Sequence, residues 1–259
     1  MKFGFRLACG FRFRFRVGFV FSFTLLGLLT LQPLQAEELK IPLDHVNIDV
    51  TDKASLQRGA QTFVNYCAGC HGLQYERYDT LAKDIGIVDS DGKVLDEVMK
   101  KSMMFSGGKL SDMMVTAMTR EEGAAMFGMA PPDLTLAARS RGADWLYTYL
   151  RSFYEDDKRP WGVNNLVFPD VAMPHVLVGL QGVQVPKGPG TFELDIKYPG
   201  KLNSQAYDHV IQDLVNFLVY VGEPMQQTRK NVGVWVLIFL GVFFVFAFLL
   251  KKEYWKDIE

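Results

Sequence analysis

The chain has 259 residues, 49% of them hydrophobic and 22% charged, and its 28 Lys and Arg nearly balance 29 Asp and Glu for a formal net charge of −1. That composition excludes a disordered or collagen-like chain. It suits one globular domain with some membrane-directed sequence attached.

Residues 1–36 carry Lys2, Arg6, Arg12, Arg14 and Arg16 and no acidic residue; an apolar run from Val17 to Leu31 follows, then Pro33 and the small Ala36. A basic region, an apolar core and a small-residue cleavage site in that order are expected of a secretory signal peptide. "LACG" at residues 7–10 mimics a lipid-attachment site, but no apolar core precedes Cys9. Export would leave only Cys67 and Cys70, in a compartment where unpaired thiols tend to be oxidised.

Those two cysteines stand in "YCAGCHG", residues 66–72. The stretch before them reads as a helix with Ser55 as its cap and Leu56, Ala60, Phe63 and Val64 on one apolar stripe. Helical spacing of i and i+3 places both cysteines on one face. A zinc site needs a fourth ligand, and of the other histidines, His45, His175 and His209, none stands in a second ligand pair. A thioredoxin-like dithiol wants a strand before it and a helix after it, the reverse of the order here. C-x-x-C-H is the attachment signature of a c-type haem: two thioethers to the porphyrin vinyl groups, with His71 facing the iron. One covalently bound haem c is the expected cofactor.

Eight of the eleven methionines, Met99, Met103, Met104, Met113, Met114, Met118, Met126 and Met129, crowd the next segment. Flexible Met side chains fill irregular cores, whereas a copper(I) site would want His or Cys among them. Met129 in "FGMAPPDL" and Met173 in "DVAMPHVL" both stand beside prolines, which stiffen loops. Either suits a sixth ligand to iron, and local chemistry does not choose.

"ADWLYTYLRSFYEDD" reads as a core helix with a solvated acidic end. Residues 163–200 are mostly loop, with "HVLVGL" and "TFELDI" as small strands, and His175 and His209 read as packing or surface histidines rather than ligands. "SQAYDHVIQDLVNFLVYVGEP" reads as a second core helix with Val210, Ile211, Leu214, Val215 and Leu218 inward, stopped by Gly222 and Pro224. Val232 to Leu250 is uncharged and apolar for 19 residues, roughly 28 Å as a helix, close to the thickness of a bilayer. Arg229, Lys230, Lys251 and Lys252 flank it, so flanking charge alone does not orient it. The signal peptide does: residues 37–228 are expected on the periplasmic side of a bacterial inner membrane, 229–250 within it and 251–259 in the cytoplasm. The external part holds 18 basic and 26 acidic residues, a formal −8. Nucleic acid is excluded as a partner of such a surface, and a basic soluble protein is favoured. The chain has no internal repeat, phosphate-binding glycine loop or hydrolase triad.

"YCAGCHGL", "MAPPDLTLAARSRGADWLYTYL" and "VFPDVAMPHVL", in that order and followed by one hydrophobic segment near the C-terminus, resemble the cytochrome c1 family over most of the chain after residue 38. The resemblance implies an all-α, cytochrome c-like haem domain with long loop insertions and one C-terminal transmembrane helix. It assigns the sixth ligand to Met173 and leaves Met129 as packing. It sets the element Pro131 to Leu134 beside His71, with Pro131 and Pro132 at the cofactor and a backbone carbonyl accepting from the other ring nitrogen of His71. It makes Arg141 the partner of a haem propionate. The implied role is the electron-transfer subunit of the cytochrome bc1 complex, no enzyme on its own, working with cytochrome b, a Rieske iron-sulfur protein and a soluble cytochrome c in a dimeric, bilayer-embedded assembly. The rival readings are a membrane-anchored monohaem cytochrome c that feeds a terminal oxidase, and a haem peroxidase or gas sensor with an open iron.

Overall fold

A computed structural model of the protein describes residues 41–105, 107–188 and 191–256; the expected signal peptide lies outside the described residues. In chain order the elements are α1 (Lys53–Tyr66), β1 (Leu73–Arg77), α2 (Tyr78–Ile85), α3 (Asp96–Ser102), β2 (Met113–Met114), α4 (Arg120–Phe127), α5 (Ala137–Arg141) and α6 (Ala143–Arg151). After these come β3 (Phe153–Glu155), β4 (Val163–Asn165), α7 (Val178–Gln181), β5 (Gly182–Pro186), β6 (Leu194–Pro199), α8 (Ser204–Gly222) and α9 (Gln226–Tyr254). The architecture is mostly helical; each pair β1/β2, β3/β4 and β5/β6 forms a two-stranded antiparallel sheet.

The core forms where α1 meets α8. Leu56, Ala60, Phe63 and Val64, the apolar stripe of α1, are all buried, against Ile211, Leu214, Val215, Phe217 and Leu218 of α8. Each large side chain removed from water in this way contributes about 1.5–3 kcal/mol. Gly59 allows the two helices to touch: a Cβ there would collide with the Asp213 carbonyl oxygen and the Phe217 side chain. Phe63 and Phe217 meet beside it with ring centroids 5.9 Å apart. Val210 is only half-buried.

Asp52, not Ser55, caps α1, its carboxylate accepting from the Ser55 amide at 3.1 Å. Ser55 instead lies inside the first turn, where its hydroxyl donates to Asp213 of α8 at 2.7 Å. The helix expected over "ADWLYTYLRSFYEDD" stops at Arg151, and the chain continues as β3, whose Phe153, Tyr154 and Glu155 pair with Asn165, Asn164 and Val163. "HVLVGL" forms a turn and the short α7 rather than a strand. The strand begins at Gly182, whose φ of 96° and close approach to the Tyr198 carbonyl exclude a side chain. "TFELDI" becomes β6 from Leu194 onward.

Met99, Met103, Met104 and Met114 are buried in the core as filler. On β1, Glu76 is 2% exposed, with one carboxylate oxygen lacking a hydrogen-bond partner among the described residues. Burial first, and the nearby Asp84 second, raise its carboxyl to about 7 from an ordinary 4.5. Asp84 accepts a 2.7 Å hydrogen bond from the Tyr220 hydroxyl of α8. The last helix, α9, is 29 residues long with none of them buried, and it is long and apolar enough to cross a membrane.

Candidate haem site

The C-x-x-C-H segment continues the winding of α1. The Cys67 amide donates to Phe63, and the Cys70 and His71 amides donate back to the Cys67 carbonyl at 3.0 and 2.9 Å. One turn therefore carries all three side chains. No disulfide joins buried Cys67 to half-buried Cys70, and burial, with a smaller contribution from Cys70, pushes the Cys67 thiol up to about 12. A reactive or metal-binding cysteine needs its thiolate stabilised, so the environment of Cys67 disfavours a redox dithiol.

His71 Nδ1 lies 2.7 Å from the Pro132 carbonyl oxygen. A carbonyl only accepts, so Nδ1 carries the proton and the Nε2 lone pair is left for a metal. Burial lowers the imidazole pKa, which favours the neutral ring that ligation requires. Pro132 is held there by Asp133, a residue the sequence reading passed over. Its Oδ2 accepts from the Gln74 amide of β1 at 2.8 Å, and its Oδ1 accepts from the Thr135 amide at 3.0 Å. The Leu134 amide donates to the Gly72 carbonyl at 2.9 Å, so the proline element is laid directly on the residues after His71. Pro131 has a different task. It packs against Gly123 of α4, where a Cβ would stand 2.5 Å from its Cδ.

Arg141 ends α5. Its guanidinium lies over the rings of Trp145 and Phe168, 5.1 and 5.9 Å from their centroids, and pairs with no carboxylate among the described residues. The neighbouring Arg139 instead ion-pairs with Glu223 at 2.8 Å. Of these two arginines, Arg141 is the one left available to an anion.

Met173 is half-buried in the loop after β4. The Tyr149 hydroxyl of α6 donates to its Sδ at 3.4 Å. The loop is fixed by two buried asparagines. Asn165 Nδ2 donates to the Tyr149 carbonyl at 2.7 Å, while its Oδ1 accepts from the Val167 and Phe168 amides at 2.9 and 3.1 Å. Asn164 Oδ1 accepts from the Asp170 amide at 2.8 Å, and Arg159 grips the Asp170 carboxylate and carbonyl. Asp170, three residues before Met173, sits at a φ of 62°, so these bonds hold a backbone conformation that a non-glycine residue adopts only when its surroundings impose it. Met129, by contrast, is 56% exposed and is not core packing.

His175 stacks flat on Phe153, centroids 4.9 Å apart, and burial lowers it to about 4. It is a neutral packing histidine, as expected. Tyr149, Asn164, Asn165, Arg159 and Asp133 were not legible as site residues. The "NN" pair before a proline loop was the one available signal, since such residues satisfy loop backbone from their side chains.

A C-x-x-C-H turn that continues a helix, with an imidazole oriented through its Nδ1, is the arrangement of a c-type haem protein. The family model described as the Cytochrome C1 family matches residues 45–258. The cytochrome c1 of Allochromatium vinosum is 50% identical over 227 residues, spanning 84% of this chain and 90% of its own. A Nitrosomonas europaea protein named ammonia monooxygenase gamma subunit is 45% identical over 240 residues, 92% of this chain and 98% of its own. The cytochrome b/c1 of Bradyrhizobium diazoefficiens is 26% identical over 240 residues, 80% of this chain and 34% of that longer protein. The chain belongs to the cytochrome c1 family. It is accordingly a haem-bearing electron-transfer subunit, membrane-anchored by one apolar helix.

Proposed function

We propose that this chain is the c1 subunit of a cytochrome bc1 complex, accepting one electron at a time from a Rieske iron-sulfur protein and delivering it to a soluble cytochrome c. The observation that carries the proposal is the 2.7 Å contact from His71 Nδ1 to the Pro132 carbonyl, which leaves Nε2 as a ligand beside two cysteines on one turn. When bound, the haem supplies a one-electron couple at its iron. Cys67 and Cys70 would anchor the porphyrin, His71 and Met173 would ligate the iron, and Arg141 would neutralise a propionate. Pro132 fixes the imidazole tautomer, and Pro131 packs against Gly123 of α4. Two protein ligands on one iron would exclude the small ligands that a peroxidase or gas sensor must admit.

Residues 1–36 act as the export signal, 37–228 form the periplasmic haem domain, 229–250 cross the inner membrane and 251–259 remain in the cytoplasm. The formal −8 of the external part steers a basic acceptor, and association slows as salt screens that field over about 8–10 Å. The subunit sits beside cytochrome b in a dimeric complex. The test is gentle solubilisation and capture by the C-terminal tail: b-type haem, a two-iron cluster and inhibitor-sensitive quinol oxidation should come along. Recovery of the haem protein without either partner would favour the oxidase-feeding carrier.

A further inference from the structure

We infer that Tyr149 is a positioning residue for the Met173 sulfur, its hydroxyl occupying the thioether lone pair that a metal does not use and biasing the bound couple toward the reduced state. The inference rests on Met173 being the sixth ligand. A thioether sulfur has two lone pairs and accepts hydrogen bonds weakly. If one faces iron, the other is free, and the Tyr149 hydroxyl stands 3.4 Å from that sulfur.

The hydroxyl is aimed by packing rather than by chance. The Tyr149 ring is stacked on Trp145, with centroids 5.0 Å apart and planes 9° from parallel, and it meets the edge of Phe153 at 5.2 Å. Phe153 is itself held flat against His175. Trp145 and Tyr149, four residues apart, share one face of α6, with Arg141 of α5 over the first ring and Phe153 of β3 edge-on to the second.

The loop does not need that hydroxyl to stay in place. Asn165 ties it to the backbone carbonyl of Tyr149, and Asn164 and Arg159 tie down Asp170. Removing one oxygen from Tyr149 therefore leaves the anchoring of Met173 intact and isolates an electronic effect. A donor at the sulfur draws density away from it, so the ligand supports the more positive, oxidised metal less well. Loss of the donor should favour oxidation.

The test is Tyr149→Phe in the solubilised holoprotein, read by optical redox titration and by the sulfur-to-iron charge-transfer band of the oxidised form. The band should remain, while the ratio of reduced to oxidised protein at a fixed electrode potential should fall about fivefold, the scale of one ordinary hydrogen bond. Tyr147→Phe serves as the control: that ring lies under Arg151, 4.5 Å away, so the same ratio should not move. An unchanged ratio in Tyr149→Phe with the band intact, or an equal fall in Tyr147→Phe, overturns the inference and leaves the ligand assignment standing. Persistence of the band in Met173→Leu overturns the ligand assignment itself.

Discussion

The two halves of the candidate site are built differently. His71 is fixed mainly by backbone: its turn is the continuation of α1, and the proline element, whose Pro132 carbonyl meets the ring from 61 residues away, is laid by the Asp133 clamp on the residues that follow it. Met173 is fixed mainly by side chains nearer in the chain, the amides of Asn164 and Asn165 that satisfy loop backbone. The histidine half uses mainly backbone donors and acceptors of two segments distant in sequence. The methionine half depends on buried polar side chains, which cost most when one partner is lost.

That difference can be broken on its weaker side first. Asn165→Ala should be the most damaging change, because Asn165 is fully buried and its loss strands two loop amides while removing a buried donor from the Tyr149 carbonyl. A destabilisation on the order of 3 kcal/mol is expected in chemical denaturation, with the methionine charge-transfer band weakened. A stable variant with an intact band would mean that Arg159 and Asn164 suffice.

Glu76 gives the histidine half its own dependence on pH. The folded carboxyl titrates near 7 against an ordinary 4.5, so the folded state holds the proton more tightly than the unfolded one. Its relative stability is greatest below about 4.5 and is lost as pH rises through about 7, by on the order of 3 kcal/mol. Glu76→Gln should flatten that slope in denaturation midpoints measured across the window. A slope unchanged in the variant would assign the effect to other groups.

Asp133→Ala should cost about 1–2 kcal/mol, less than Asn165→Ala because the clamp is partly exposed and water can replace it. Its more specific mark should be a less uniform His71 environment, visible as a broadened imidazole resonance in the reduced protein. At the small end stands Met129→Leu. That side chain is exposed, so stability should move by no more than about 0.5 kcal/mol and the oxidised spectrum should not change. Loss of the charge-transfer band there would transfer the ligand role to Met129.

The same contrast explains what could be read from the sequence. The stripe of α1, the C-x-x-C-H turn and the apolar run of α9 are periodic or contiguous, and each appears where expected. Ser55 precedes the apolar stripe as a cap would, yet α1 begins three residues earlier, where Asp52 accepts from the Ser55 amide itself. The aromatic spacing of four in "ADWLYTYLRSFYEDD" persists past Arg151, where the helix ends. From Phe153 onward a nonlocal pairing with Val163 to Asn165 captures the backbone. No local pattern announces that Asn165 will serve a carbonyl 16 residues away. The resemblance gives Arg141 a propionate as partner, but its seat over Trp145 and the ion pair that occupies Arg139 depend on α6 and on Glu223 at the end of α8.

Only Glu223, Pro224 and Met225 separate α8 from α9. Three residues extend to roughly 10 Å at most, and Glu223 shortens the reach by pairing with both Arg139 of α5 and Arg229 of α9. Since α9 is the tether, the rest of the protein is moored rather than leashed. Its link to that apolar helix has almost no slack, so a change in the tilt of α9 would be felt at once beneath α5.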